Sequence, residues 1–141
     1  MKKWELVNEI IARDLVMGTL ARESLECYEE NKNMSALACL FILTEQAIKV
    51  SLNKQEGNFA KLINEAKSKG IVSEDEFYLL NDFREIRNKI FHENNYMWHI
   101  EVNVIFYPFS ENQTKKTIFE KYSEICFRTT LNCLSVQTDS L

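Results

Sequence analysis

Apolar side chains recur at steps of three and four along most of this chain, and at steps of two in one stretch near residue 100. The first spacing predicts amphipathic helices and the second an extended strand. A first helix over residues 2–30 places Trp4, Val7, Ile11, Asp14, Gly18, Ala21, Leu25 and Tyr28 on one face. Asp14 and Gly18 interrupt that stripe. Asp14 is either at its edge and wet, or a polar notch opposite the arginine-bearing segment downstream. A second helix over residues 34–52 is apolar on nearly every side between Ala36 and Leu43, as in a helix that is central in its bundle or lies between two subunits. Its main stripe is Met34, Leu37, Phe41, Ile48 and Leu52, and Glu45 falls inside it. A carboxylate there is costly unless paired. Either Arg87 supplies the cation, or the helix is rotated so that Glu45 is wet.

A short third helix over residues 58–69 buries Phe59, Leu62, Ile63 and Ala66, with Gly70 as its left-handed stop and Ile71 as the accompanying contact. Ser73-Glu74-Asp75-Glu76 is a capping-box pattern that opens the fourth helix. That helix puts Leu79, Leu80, Phe83, Ile86, Arg87 and Ile90 on one broad face and leaves Arg84 and Lys89 toward solvent. Arg87 on the core side requires a partner, a cleft or a second subunit. From Trp98 to Phe106 apolar and polar positions alternate, and Pro108 closes the segment. A lone strand needs a mate. A short hairpin and pairing with the same strand of a second copy both satisfy it, the second being preferred. A last helix over residues 113–136 turns Ile118, Tyr122, Ile125, Thr129 and Cys133 inward, and residues 137–141 are expected to fray. The expected fold is all-α, one domain over residues 1–141. It is an up-and-down bundle of four long helices plus one short helix, with an extended insert over residues 95–112 between the last two long helices.

Composition supports this architecture. The chain has 141 residues with three glycines and one proline, few breakers for a turn-rich β protein. It is 45% hydrophobic and 27% charged, as ordinary soluble domains are. The formal net charge of −4 argues against a broad basic surface for nucleic acid or anionic lipid, with no DNA partner expected, but leaves room for a local phosphate site. After Met1-Lys2-Lys3, charged residues break any apolar leader, so no export signal is read and a cytoplasmic protein is expected. No apolar run is expected to span a bilayer, which takes about 20 residues. Cys27, Cys39, Cys126 and Cys133 lack a C-x-x-C pairing and read as buried free thiols.

The candidate chemistry lies in Phe83-Arg84-Glu85-Ile86-Arg87-Asn88-Lys89-Ile90-Phe91-His92. An arginine clamps anions in a rigid fork, and histidine moves protons near neutral pH. Gly-rich phosphate loops, H-E-x-x-H and G-x-S-x-G are absent from the sequence, and two histidines are few for a histidine-based metal site. Arg87 and His92 are therefore the candidate catalytic pair, with no metal or cofactor called for. A histidine can take the proton from a ribose 2′-hydroxyl or give one to the leaving oxygen, and an arginine can neutralise charge on the phosphoryl oxygens. Residues five apart differ by about 140° on an ideal helix. Either the helix ends or bends near His92, for which Glu93-Asn94-Asn95 is a signal, or residues from two subunits converge.

Ile86-Arg87-Asn88-Lys89-Ile90-Phe91-His92 resembles the R-N-x-x-x-H form of the signature of HEPN domains (higher eukaryote and prokaryote nucleotide-binding). The resemblance extends upstream through Leu43-Thr44-Glu45-Gln46-Ala47-Ile48-Lys49 and Gly70-Ile71-Val72-Ser73, over residues 34–95. It implies a helical bundle, commonly a homodimer, with the motif lining a cleft between protomers. It also implies metal-independent endoribonuclease activity of the kind found in phage defence, toxin–antitoxin pairs or RNA processing. Arg87 and His92 would be catalytic, Asn88 the polar residue beside the arginine, and Glu45 an orienting partner of Arg87. Members paired with a nucleotidyltransferase antitoxin often carry a tyrosine two residues after the histidine, where this chain has Asn94. The strand-like insert is not a general family feature either. Two functions stand: an endoribonuclease, as a toxin or defence effector, and a non-catalytic dimeric module that binds a nucleotide or a partner protein. The acidic balance favours the second, and Arg84, Lys89, Lys115, Lys116 and Lys121 offer a local basic rim for the first.

Overall fold

The computed structural model describes residues 2–92, 99–102, 105–108 and 111–139, with the backbone alone for 91–92, 99–102, 105–108 and 137–139. These residues form α1 (Lys3–Arg13), α2 (Leu15–Glu29), α3 (Asn33–Ser51), α4 (Phe59–Ser68), α5 (Glu74–His92), β1 (His99–Val102), β2 (Ile105–Pro108) and α6 (Asn112–Asp139). The architecture is a helical bundle. Its centre is α3 against α6, with α2 packed on α3, α1 against α2 and α6, and α5 against α4 and α6.

The expected single first helix is two. Asp14 adopts an extended conformation (φ −152°, ψ 118°), its N–H closing α1 on the Ile10 carbonyl. Its carboxylate accepts the Met17 N–H at 2.9 Å, so Asp14 is the N-cap of α2. The bend brings the two helices into backbone contact, since a Cβ on Gly18 would stand 2.5 Å from Ile11 Cα. The polar notch is thus a helix break.

The turns follow their signals. Gly70 (φ 74°) ends α4, with the Ile71 N–H donating to the Ala66 carbonyl and the Gly70 N–H to Lys67. Asn31 and Asn53 take the same left-handed conformation after α2 and α3, in a chain with little glycine to spare. The capping box closes both ways, Ser73 N–H to Glu76 Oε1 at 2.9 Å and Glu76 N–H to Ser73 Oγ at 3.2 Å.

Helix α3 is central in the bundle, one of the two places its apolar surface suits, with Leu37, Leu40, Phe41, Leu43, Ala47 and Ile48 buried. Its residues Asn33–Ser51 have the length and hydropathy of a membrane-crossing helix, which qualifies the expectation that no run is long enough. Met34, placed in its stripe, is instead 37% exposed. Helix α6 buries the expected Ile118, Tyr122, Ile125, Thr129 and Cys133, and also Phe119, Cys126, Phe127 and Leu134. It continues to Asp139, past the residue-137 start of the expected frayed tail; residues 140–141 lie outside the described residues.

The alternating segment is a hairpin within the chain rather than one strand awaiting a second copy. β1 pairs antiparallel with β2, His99 opposite Pro108 and Val102 opposite Ile105. Only two positions separate the strands in sequence, the commonest hairpin connection. Trp98, Asn103 and Val104, included in the predicted strand, lie outside the described residues. The cysteines are free thiols, but only Cys126 and Cys133 are buried; Cys27 and Cys39 are half-buried. Burial pushes the Cys126 thiol up to about 12 and that of Cys133 to about 11.

Candidate functional site

The rotation of α5 is set by Phe83. Its ring packs on Phe41 of α3, centroids 4.5 Å apart, and on Tyr122 of α6 at 5.4 Å. One turn further along each helix, the residues at i+4 are Glu45 and Arg87. They meet: Arg87 Nη2 stands 2.9 Å from Glu45 Oε2. An aromatic pair and an ion pair thus stack along the same α3–α5 seam. The expected Glu45–Arg87 pairing is present, and the wet alternative for Glu45 is not, since its side chain is 17% exposed.

Two further contacts hold the pair. Lys49 Nζ lies 3.2 Å from Glu45 Oε1, one turn along α3. The guanidinium carbon of Arg87 lies 5.4 Å from the ring centroid of Phe59, the first residue of α4. Asn58 caps α4, its carboxamide oxygen accepting the Ala60 N–H at 2.9 Å. Of these groups, Glu45, Asn58, Phe59 and Arg87 line a cleft of about 230 Å³ walled by α3, α5 and the start of α4. Its walls include Glu45, Asn58, Phe59, Arg84, Arg87 and Asn88. Three of the four predicted site residues, Arg87, Asn88 and Glu45, therefore share one cavity.

His92 is the last residue of α5, five positions beyond Arg87 or about 7.5 Å of helical rise. Its side chain lies outside the described residues, as do Glu93, Asn94 and Asn95, the signal for the end of this helix.

Arg84 is a wall residue that the helical pattern assigned to solvent. Its side chain is 19% exposed, less than the 26% of Arg87. The lysines of the proposed basic rim sit on two helices, α5 and α6. Lys116 lies over the ring of Tyr28 and Lys121 over that of Tyr122, while Lys89, Lys115 and Lys116 are half-buried.

A wider groove of about 400 Å³ runs between α1 and α6. There Arg13 donates to Ser135 Oγ at 2.7 Å, and none of the predicted site residues takes part. Among the described residues the most exposed large apolar side chains are Leu15 and Val16, at 77% and 72%, on the first turn of α2.

Chemically, the cleft offers a guanidinium held in a fixed orientation, a second guanidinium one turn before it, and two carboxamides. Such a donor set suits a phosphate group. No known protein family, curated protein or solved structure matches the chain.

Proposed function

We propose that the protein is a HEPN-like, metal-independent endoribonuclease, a toxin or phage-defence effector of the cytoplasm, working as a homodimer of up-and-down bundles. The observation that carries this reading is the cleft in which Arg87 is oriented by Glu45 and flanked by Asn88. In this mechanism Arg87 neutralises the charge that builds on the phosphoryl oxygens. His92 takes the proton from the 2′-hydroxyl as that oxygen bonds to phosphorus, and the bond from phosphorus to the 5′-oxygen breaks. The leaving 5′-oxygen collects a proton and the other product ends in a cyclic phosphate. Asn88 donates to the substrate from beside Arg87. The partner copy closes the cleft, and an antitoxin or other protein restrains it.

The formal net charge of −4 favours a second reading, a dimeric module that binds a nucleotide or a partner protein without cleavage. One experiment separates them. Purified protein is incubated with mixed RNA and a chelator, beside Arg87→Ala and His92→Ala. Cleavage that survives the chelator and disappears in both variants is the result expected of the nuclease. Intact RNA across a range of sequences gives the binding module instead.

A further inference from the structure

Arg84 is the group in the cleft that the mechanism above leaves idle, and its surroundings are unusual for a guanidinium. Its side chain is 19% exposed. Among the described residues it has two partners. Its Nε donates to the neutral carboxamide oxygen of Asn81 at 3.0 Å. Its Nη2 stands 3.7 Å from Glu85 Oε1, beyond hydrogen-bond range, and the Glu85 side chain is 58% exposed. An ion pair of that length with a solvated carboxylate contributes little. The bond to Asn81 uses one of five N–H donors. Arg87, by contrast, is neutralised at 2.9 Å by a carboxylate that also serves Lys49. The cleft walls thus carry two guanidiniums and one carboxylate, and that carboxylate is already engaged.

We propose that Arg84 is a second anion seat in this cleft, and that it binds the phosphate adjacent to the one Arg87 holds on a single strand of RNA laid along α5. The proposal rests on the reading that the cleft faces RNA. Arg84 and Arg87 are three residues apart on one helix, which separates their Cβ atoms by about 5–6 Å. Two forks at that spacing match two successive phosphates better than one. The order along the helix is Arg84, Arg87, Asn88, His92. The seat therefore lies on the far side of Arg87 from His92, and the phosphate it takes is a flanking one that is not cut. The amides at the start of α4 are not the seat, because Asn58 already accepts from Ala60 and Lys61.

The probe is a fluorescent 2′-O-methyl RNA octamer, which cannot be cleaved through its 2′-oxygen. Its binding to the whole chain is followed by anisotropy from about 50 to about 300 mM salt, where each phosphate contact on a single strand contributes about 0.7 to the log–log slope. Arg84→Gln is expected to shallow the slope by about 0.7, and Arg84→Gln with Arg87→Gln by about 1.4. Arg84→Lys keeps the charge and should keep the wild-type slope, which a role confined to the Asn81 hydrogen bond would not predict. An unchanged slope in Arg84→Gln overturns the proposal. So does a double variant no shallower than Arg87→Gln, which would put both arginines on one phosphate, or a wild-type protein that does not bind the octamer. A matching ribose octamer tests the nuclease separately. If the seat is present and the ribose strand stays intact, the nuclease reading fails alone. If the strand is cut and the Arg84→Gln slope is unchanged, the seat fails alone.

Discussion

Replacing Glu45 by glutamine keeps the shape of the side chain and one acceptor but removes the charge that orients Arg87. At 2.9 Å, with side chains 17% and 26% exposed, the pair lies between the surface and buried limits. Exposed pairs are worth about 0–1 kcal/mol, and breaking a fully buried one costs about 3–5 kcal/mol. Loss of the carboxylate strands two cations, Arg87 and Lys49, and is expected to cost about 2 kcal/mol. Arg87→Gln should cost less, about 1 kcal/mol, because Glu45 retains Lys49 at 3.2 Å. Part of that smaller figure is the lost contact with Phe59, of the order of 0.5 kcal/mol or more. The double variant should then cost about 1 kcal/mol less than the sum of the singles, because Arg87 is no longer there to be stranded, a coupling well outside the additivity of independent sites.

Urea denaturation of the four proteins at neutral pH measures the cycle, and thermal melting checks it. For a chain of 141 residues, about 2 kcal/mol corresponds to a fall in Tm of roughly 6–8 °C. The ordering is the sharper test. If Arg87→Gln costs more than Glu45→Gln, or if the two add within about 0.3 kcal/mol, then the carboxylate does not serve both cations and Arg87 is not held by it.

Two further outcomes follow from the packing. Gly18→Ala should destabilise by about 2 kcal/mol: the helix gains about 1 kcal/mol of propensity, but the new methyl sits 2.5 Å from a backbone atom of α1. Equal or higher stability by urea titration would mean that α1 can move off α2 freely. Stability should also fall in base. Burial raises the folded-state values of Cys126 and Tyr122 to about 12 and of Cys133 to about 11, above reference values of 9.0 for the thiols and 10.0 for the phenol. The unfolded chain therefore loses these protons first, and the stabilisation, fully present below the reference values, is lost as pH climbs through them toward the folded ones. Under reducing conditions the urea midpoint should drop between pH 8 and pH 11, less steeply in Cys126→Ala; equal slopes in the two proteins would rule out the buried thiol as a source.

What the pattern made legible is what a single helix determines by itself. The inward faces of α4 and α6, the capping box at Ser73 and the left-handed Gly70 all follow from local spacing and residue type. The break at Asp14 did not, although Asp14 is a good N-cap and Gly18 a poor helix former. The stripe stays in phase across the bend, so periodicity reads two helices as one. The alternation at residue 100 announced strands, but a period of two says nothing of which strand pairs with which.

The candidate site divides the same way. Glu45 and Arg87 were readable as partners because each is an expensive charge on an apolar face, and two such charges solve each other's problem. Arg84 was not. On α5 alone its angle points away from the core, and the start of α4, a separate helix, forms another wall of the cleft that Arg84 lines. A helical wheel records direction, not the neighbour standing there. The same limit bears on His92. Arg87 is fixed by Glu45 on one side and Phe59 on another, so it is not free to swing along α5 toward a residue about 140° round the helix. In the nuclease proposed above, a phosphodiester shared by the two would therefore bridge both positions on one chain, or meet Arg87 of one copy and His92 of another. The rigidity of the arginine is what makes the second route the more economical in the reading proposed here, because a two-fold axis can bring the two positions together while leaving the Glu45–Arg87 pair as it stands.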